Sequence, residues 1–203
     1  MREFLRAEQL DPRNPAIHYG LGKAYWARDR LEDAEEHLKR ALEIFPGHHD
    51  SRMTLSALLI RSGRFEEAIH ESDILIDDAT YPTPWRALAN RGWAQLQVGQ
   101  VAQARDSLEE ALEFSPDFWP ATLSLAILEA QAGHALEAVG LYEELLSLSP
   151  GPSAESEVNY RLAELYISLG KQRRALSHLT ASVARQPEGP WAKKSEAYLK
   201  LLR

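Results

Sequence analysis

Prolines that end helices recur at a fixed interval, and this interval constrains the fold more than any other feature of the chain. Pro12 and Pro46 are 34 residues apart, and so are Pro116 and Pro150. Pro46 to Pro116 is 70 residues, two periods plus two; Pro150 to Pro187 is 37, one period plus three. Such self-similarity marks a stacked repeat, each unit a small helical motif that cannot bury its apolar face alone. The clearest copy runs from Pro15 to His48. Ile17, Leu21, Gly22 and Tyr25 fall at the spacing of one helix face, a break follows at Arg28-Asp29-Arg30, and Leu31, Ala34, Leu38, Ala41 and Leu42 repeat the spacing up to Pro46. Proline cannot continue a helix, so each unit closes where the next opens.

Five full units follow from this ruler: 15–48, 49–84, 85–118, 119–152 and 156–189. Each has a small residue in its first helix (Gly22, Ser56, Gly92, Ala126, Ala163) and a close-contact alanine in its second (Ala34, Ala68, Ala104, Ala138, Ala175). Four residues after that alanine stands a bulky side chain, Leu38, Leu108, Tyr142 or Leu179, with Ser72 the weak member. Gly63, Gly99, Gly133 and Gly170 fall in the inter-helix turns, where a left-handed conformation is expected; Asp29 takes that place in the first unit. Residues 1–14, with Phe4, Ala7, Leu10 and Pro12, match only the second helix of a unit. The expectation is a chain trimmed inside a repeat, with Met1 not the native start. Residues 190–203 read as one amphipathic capping helix, and 1–203 as a single domain.

The chain has no cysteine, so disulfides, thiolate metal sites and cysteine nucleophiles are excluded. No apolar run approaches the roughly 18 residues of a membrane-spanning helix. The net charge of −7 is uneven, with 14 basic and 26 acidic residues before position 156 and 9 basic and 4 acidic after it. An acidic body argues against general nucleic-acid binding. The basic end is read as a solvated terminal helix in preference to a phosphate or membrane-surface site.

The pattern of small, bulky and proline places resembles the tetratricopeptide repeat (TPR). The resemblance covers nearly the whole chain. It implies an all-α, right-handed superhelical solenoid of antiparallel helix pairs, with the first helix of each unit lining a concave groove, and a binding scaffold rather than an enzyme. A finer resemblance lies in Asp78–Trp93, where an insertion carrying Tyr81-Pro82 precedes Ala87, Asn90 and Gly92. With two units before it and three after, this join is similar to the type IV pilus pilotin lipoproteins PilF, PilW and Tgl. That resemblance implies a periplasmic position on the outer membrane through a lipidated cysteine, and the secretin PilQ as partner. The cysteine is missing here. A cytosolic co-chaperone or scaffold, or a non-catalytic domain of a larger enzyme, is the alternative.

Helical phase places the second, fifth, ninth and twelfth residues of each unit in the groove. These are Ala16, Tyr19, Lys23 and Trp26; Asp50, Met53, Ala57 and Ile60; Arg86, Ala89, Trp93 and Leu96; Pro120, Leu123, Ile127 and Ala130; and Glu157, Tyr160, Glu164 and Ile167. Tyr19, Trp26, Met53, Ile60, Trp93, Leu96, Leu123, Ile127 and Tyr160 make this lining apolar, suited to an amphipathic helix or extended apolar segment. The stretch Met53 to Ile127 is its expected centre. The same side chains could instead pack within the array.

No residue set suggests catalysis, a cofactor or a metal. His48-His49-Asp50 reads as a solvated turn, and Glu66, Glu67, His70, Glu109-Glu110 and Glu143-Glu144 fall on solvent faces. Carboxylates that work as acids or bases need a cleft that shifts their pKa values.

Overall fold

The computed structural model describes residues 1–202, and among these the chain forms twelve α-helices and no strand. They are α1 (Arg2–Leu10), α2 (Pro15–Trp26), α3 (Leu31–Ile44), α4 (His49–Arg61), α5 (Phe65–Ile76), α6 (Pro84–Gln97) and α7 (Val101–Phe114). They continue with α8 (Trp119–Gln131), α9 (Ala135–Ser147), α10 (Pro152–Ser168), α11 (Gln172–Arg185) and α12 (Pro190–Leu201). None is long and apolar enough to cross a membrane.

The helices pack into two compact units, Met1–Phe114 and Ser115–Arg203. In the first, α1 packs on α2, and the antiparallel pairs α2/α3, α4/α5 and α6/α7 follow in order. Contacts of α2 with α4 and of α4 with α6 lay these first helices side by side. In the second unit, α8/α9 and α10/α11 pair, α9 meets α10, and α12 packs on both α10 and α11.

The turns form as the sequence predicts. Gly63, Gly99, Gly133 and Gly170 all have φ between +69° and +85°, and Asp29 takes the same region at +60°. Aspartate is among the few side chains that tolerate this conformation, because its short polar group can bond locally.

The small places are equally literal. A Cβ on Gly22 would stand 2.8 Å from Leu38 Cγ, and one on Gly92 would stand 2.7 Å from Leu108 Cγ and 3.1 Å from the Ala104 carbonyl oxygen. Glycine therefore lets the bulky leucine of the second helix sit against bare backbone. The second pair solves the same problem with hydroxyls. Ser56 and Ser72 Oγ lie 2.9 Å apart, Ser72 donates to the Ala68 carbonyl at 2.8 Å, and Asn90 Nδ2 of α6 donates to Ser56 at 3.2 Å. Ser72 is thus no defect in the bulky series. Both buried hydroxyls are satisfied, and the bond to Asn90 ties one repeat to the next.

The two irregular spacings go to different places. The extra two residues before unit three lengthen the loop between α5 and α6. The extra three before unit five extend a helix, since α10 has 17 residues and starts at Pro152, a turn before the expected 156. Pro152 is at N1, where a missing N–H costs no helical bond.

Candidate partner-binding surface

Helix α2 begins where local chemistry dictates. Asn14 Oδ1 accepts from Ala16 N at 3.1 Å as the N-cap, and Pro15 holds the first helical position. That start sets the phase, so Tyr19, Lys23 and Trp26 form one stripe. Thr54 and Arg61 of α4 and Arg86 of α6 face it, and together these side chains enclose a cleft of about 560 Å³. Lys23 Nζ lies 5.1 Å from the Tyr19 ring centroid. Arg61 is paired with Asp29 of the α2–α3 turn. Neither Lys23 nor Arg86 has a carboxylate partner among the described residues.

This cleft brings together four of the groove places read from the sequence: Tyr19, Lys23, Trp26 and Arg86. It is less apolar than expected. Thr54 and Arg61 were missed because each sits one residue beyond the chosen Met53 and Ile60, a rotation of roughly 100° about the helix axis. The result is an aromatic floor with a charged rim, basic at Lys23, Arg61 and Arg86 and acidic at Asp29.

The other predicted places divide. Met53 is half-buried against Leu75, Tyr81 and Ala87. Ile60 packs on the core of Leu38, Leu55, Leu58 and Ala68. Leu96 is buried, and Trp93 is half-buried on the same helix. In the second unit, Leu123 and Glu157 border a cleft of about 380 Å³ with Trp119 and Pro150. Ile127, Ala130 and Glu164 border another of about 340 Å³ with Arg161, though Ile127 itself is only 4% exposed.

Tyr160 requires correction. Its ring is 8% exposed because α12 covers it: Trp191 and Tyr198 lie 5.3 and 6.0 Å away between centroids. Burial, and a hydrogen bond to Glu164, push its phenol pKa up. Tyr160 belongs to the seam with the terminal helix, not to an open groove. The basic end serves the same seam, where Lys194 and Arg161 stack on Trp191 at 4.1 and 5.1 Å.

The Tyr81-Pro82 insertion is a plug. Tyr81 is buried against Leu75 and Ala87, and its ring meets His49 edge-on at 5.3 Å. Asp78 fixes the loop, accepting from Thr80 Oγ1 at 2.6 Å and Thr80 N at 2.9 Å, with His49 Nε2 at 2.8 Å. His48 Nδ1 accepts from Ser51 N at 3.2 Å and caps α4. The two adjacent histidines therefore start a helix and hold a loop, as a turn reading requires. The Thr80 hydroxyl first, then His49, lower the Asp78 pKa from 3.8 to about 2. A depressed carboxyl stabilises the fold above its unfolded pKa and loses that contribution as pH falls through the folded value. The loop should therefore stay clamped down to about pH 4 and release between there and about pH 2. NMR titration of the Asp78 carboxyl checks this, and a midpoint near 3.8 would refute it.

The solvent faces are as read from the sequence: Glu66, Glu67, His70, Glu109, Glu110, Glu143 and Glu144 are all exposed.

Comparison with known proteins agrees with this architecture. A family model described as tetratricopeptide repeat matches residues 26–91, and a second of the same description matches residues 1–49 and 90–155. The TPR repeat-containing protein YpiA of Bacillus subtilis (strain 168) is 24% identical over 192 residues, which is 92% of this chain and 43% of YpiA. The chain spans less than half the length of the curated relatives it matches. Among solved structures, that of PilW, a widely conserved type IV pilus biogenesis factor, has a TM-score of 0.82 at 23% identity, covering 94% of this chain and 86% of PilW. PilF of Pseudomonas aeruginosa gives 0.75 at 20% identity, covering 96% and 86%. With family models matching from residue 1 to 155 and helix pairs throughout, the chain belongs to the tetratricopeptide repeat family, an all-α protein-binding scaffold of non-catalytic type.

Proposed function

We propose that this chain is a pilotin-type scaffold that takes an apolar, acidic segment of the outer-membrane secretin PilQ into the cleft of Tyr19, Trp26 and Arg86, and so aids secretin localisation and assembly. The cleft carries the binding half of the reading. Aromatic anchors set among near-neutral contacts are the usual hot spots of an interface, and the rim cations without a carboxylate partner, Lys23 and Arg86, steer an acidic segment. The pilus half is supported by the likeness to PilW over 94% of the chain and by the Tyr81-Pro82 insertion. The reading places the protein on the periplasmic face of the outer membrane, through a lipidated cysteine that these residues do not contain.

Deleting the gene in its own host should deplete secretin multimers from the outer-membrane fraction, and re-expression should restore them. Unchanged multimers would overturn the secretin reading. Recovery of a cytosolic partner by crosslinking would replace it with the co-chaperone alternative.

A further inference from the structure

The inter-helix place three residues after the close-contact alanine is bridged by a polar pair in the first, second and fifth repeats, and differently in each. In the second repeat, Arg52 pairs with Glu71. In the fifth, His178 Nδ1 bonds Asn159 Oδ1 at 2.9 Å, an ordinary donor–acceptor match. In the first, the corresponding residues are His37 and His18, and two imidazole nitrogens face each other, Nδ1 to Nδ1 at 3.1 Å. A third group joins them from outside the repeat: Glu8 of α1, whose Oε1 lies 3.7 Å from His18 Nδ1 and 3.8 Å from His37 Nδ1.

We propose that Glu8, His18 and His37 form a binding site for a divalent transition-metal ion, with Zn²⁺ the best match. The three ligand atoms, 3.1, 3.7 and 3.8 Å apart, are equidistant from a point roughly 2.1 Å from each, which is the length of a Zn–N or Zn–O bond. Two imidazoles and one carboxylate make a common zinc ligand set, with a fourth position left for water. The outer shell is in place as well. His18 Nε2–H donates to the Pro12 carbonyl at 3.0 Å, which fixes the tautomer and leaves the Nδ1 lone pair aimed into the cluster. The His37 ring is held by stacking on Tyr25 at 5.3 Å and 7°. The His18 side chain is 6% exposed and that of Glu8 29%, so the ion has an inner anchor and a solvent entry on the Glu8 side. When the ion enters, it replaces the hydrogen bond between the two Nδ1 atoms, and His37 carries its proton on Nε2.

The site joins three helices. α1 has no buried residue of its own and rests on α2 through Phe4, whose ring fills the space over Gly20. An ion held by Glu8, His18 and His37 clamps α1 to the first full repeat.

The test is calorimetric titration of the chelator-treated protein with ZnCl₂, with Co²⁺ substitution read by visible absorption. The wild type should take up one equivalent at this site, and the Co²⁺ form should show the intense bands of a four-coordinate ion. His37→Gln and Glu8→Gln should each weaken uptake about 100-fold or more, since losing a ligand costs at least what losing its outer-shell partner does. His49→Ala, outside the cluster, should bind as the wild type does. Bound Zn²⁺ should also protect α1 amides from hydrogen exchange, an effect absent in Glu8→Gln. No stoichiometric uptake by the wild type, or uptake by both cluster variants at wild-type affinity, overturns the proposal.

Discussion

Gly92→Leu is expected to cost about 3 kcal/mol or more of folding stability, at the upper end of what overpacking does. The reason lies in what surrounds the position. A β-carbon there meets Leu108 Cγ at 2.7 Å and the Ala104 carbonyl oxygen at 3.1 Å. The leucine can change rotamer, but the carbonyl belongs to the backbone of α7 and moves only if the helices separate. Leu108 is fully buried, so its displacement also opens space that nothing refills. Urea unfolding followed by circular dichroism measures the loss. The double variant Gly92→Leu, Leu108→Ala supplies the decisive comparison. The removed side chain makes room for the added one, so the pair should be less destabilised than the sum of the singles, a coupling expected only between residues in contact. Additive losses would show that the two do not share the seam.

Trp26→Ala should weaken capture of the secretin segment about 30-fold or more, the 2 kcal/mol that defines a hot spot. Trp26 is half-buried, with part of its ring packed on the Leu38–Leu58 core and part facing the cleft. The measurement therefore needs the folded fraction of the variant from its own unfolding curve. Lys23→Glu separates charge from packing. Lys23 is exposed, so its reversal should cost only about 1 kcal/mol of stability, from the lost stacking on Tyr19 and a reversed charge at the α2 C-terminus, while slowing association and flattening the salt dependence of binding. Surface plasmon resonance at two salt concentrations reads both effects. Binding by folded Trp26→Ala within threefold of the wild type would remove the cleft from the proposal.

The repeat ruler was legible because it rests on short-range rules. A 34-residue spacing of prolines, glycine in the turns and a small residue opposed to a large one all act within one helix pair. Each reappears at its expected place, from the positive φ of Gly63 to the bare backbone of Gly22. Even Ser72 followed the rule once its partner was known, since the hydroxyl of Ser56 and the amide of Asn90 do what a leucine does elsewhere.

The groove was legible only in part. Helical phase finds which side a residue lies on, and it placed Tyr19, Lys23, Trp26 and Arg86 in one cleft. It could not see that α12 would fold back over Tyr160, or that Arg61, one position out of phase, would reach the rim. Those outcomes depend on neighbours distant in sequence. The Tyr81-Pro82 insertion shows the same division: the sequence marked the irregular join, but only packing against His49 and Leu75 made the tyrosine a buried plug.

By itself, then, the sequence determined the repeat, its helix pairs and the family, because period, turn and size rules are local and survive without tertiary information. The tertiary structure alone decided which side chains meet. Glu8, His18 and His37 are spread over three helices and 30 positions of the chain, and no spacing within a single repeat unites them. They converge because α1 docks on α2 and α2 pairs with α3, which brings three ligand atoms to within 4.8 Å of one another.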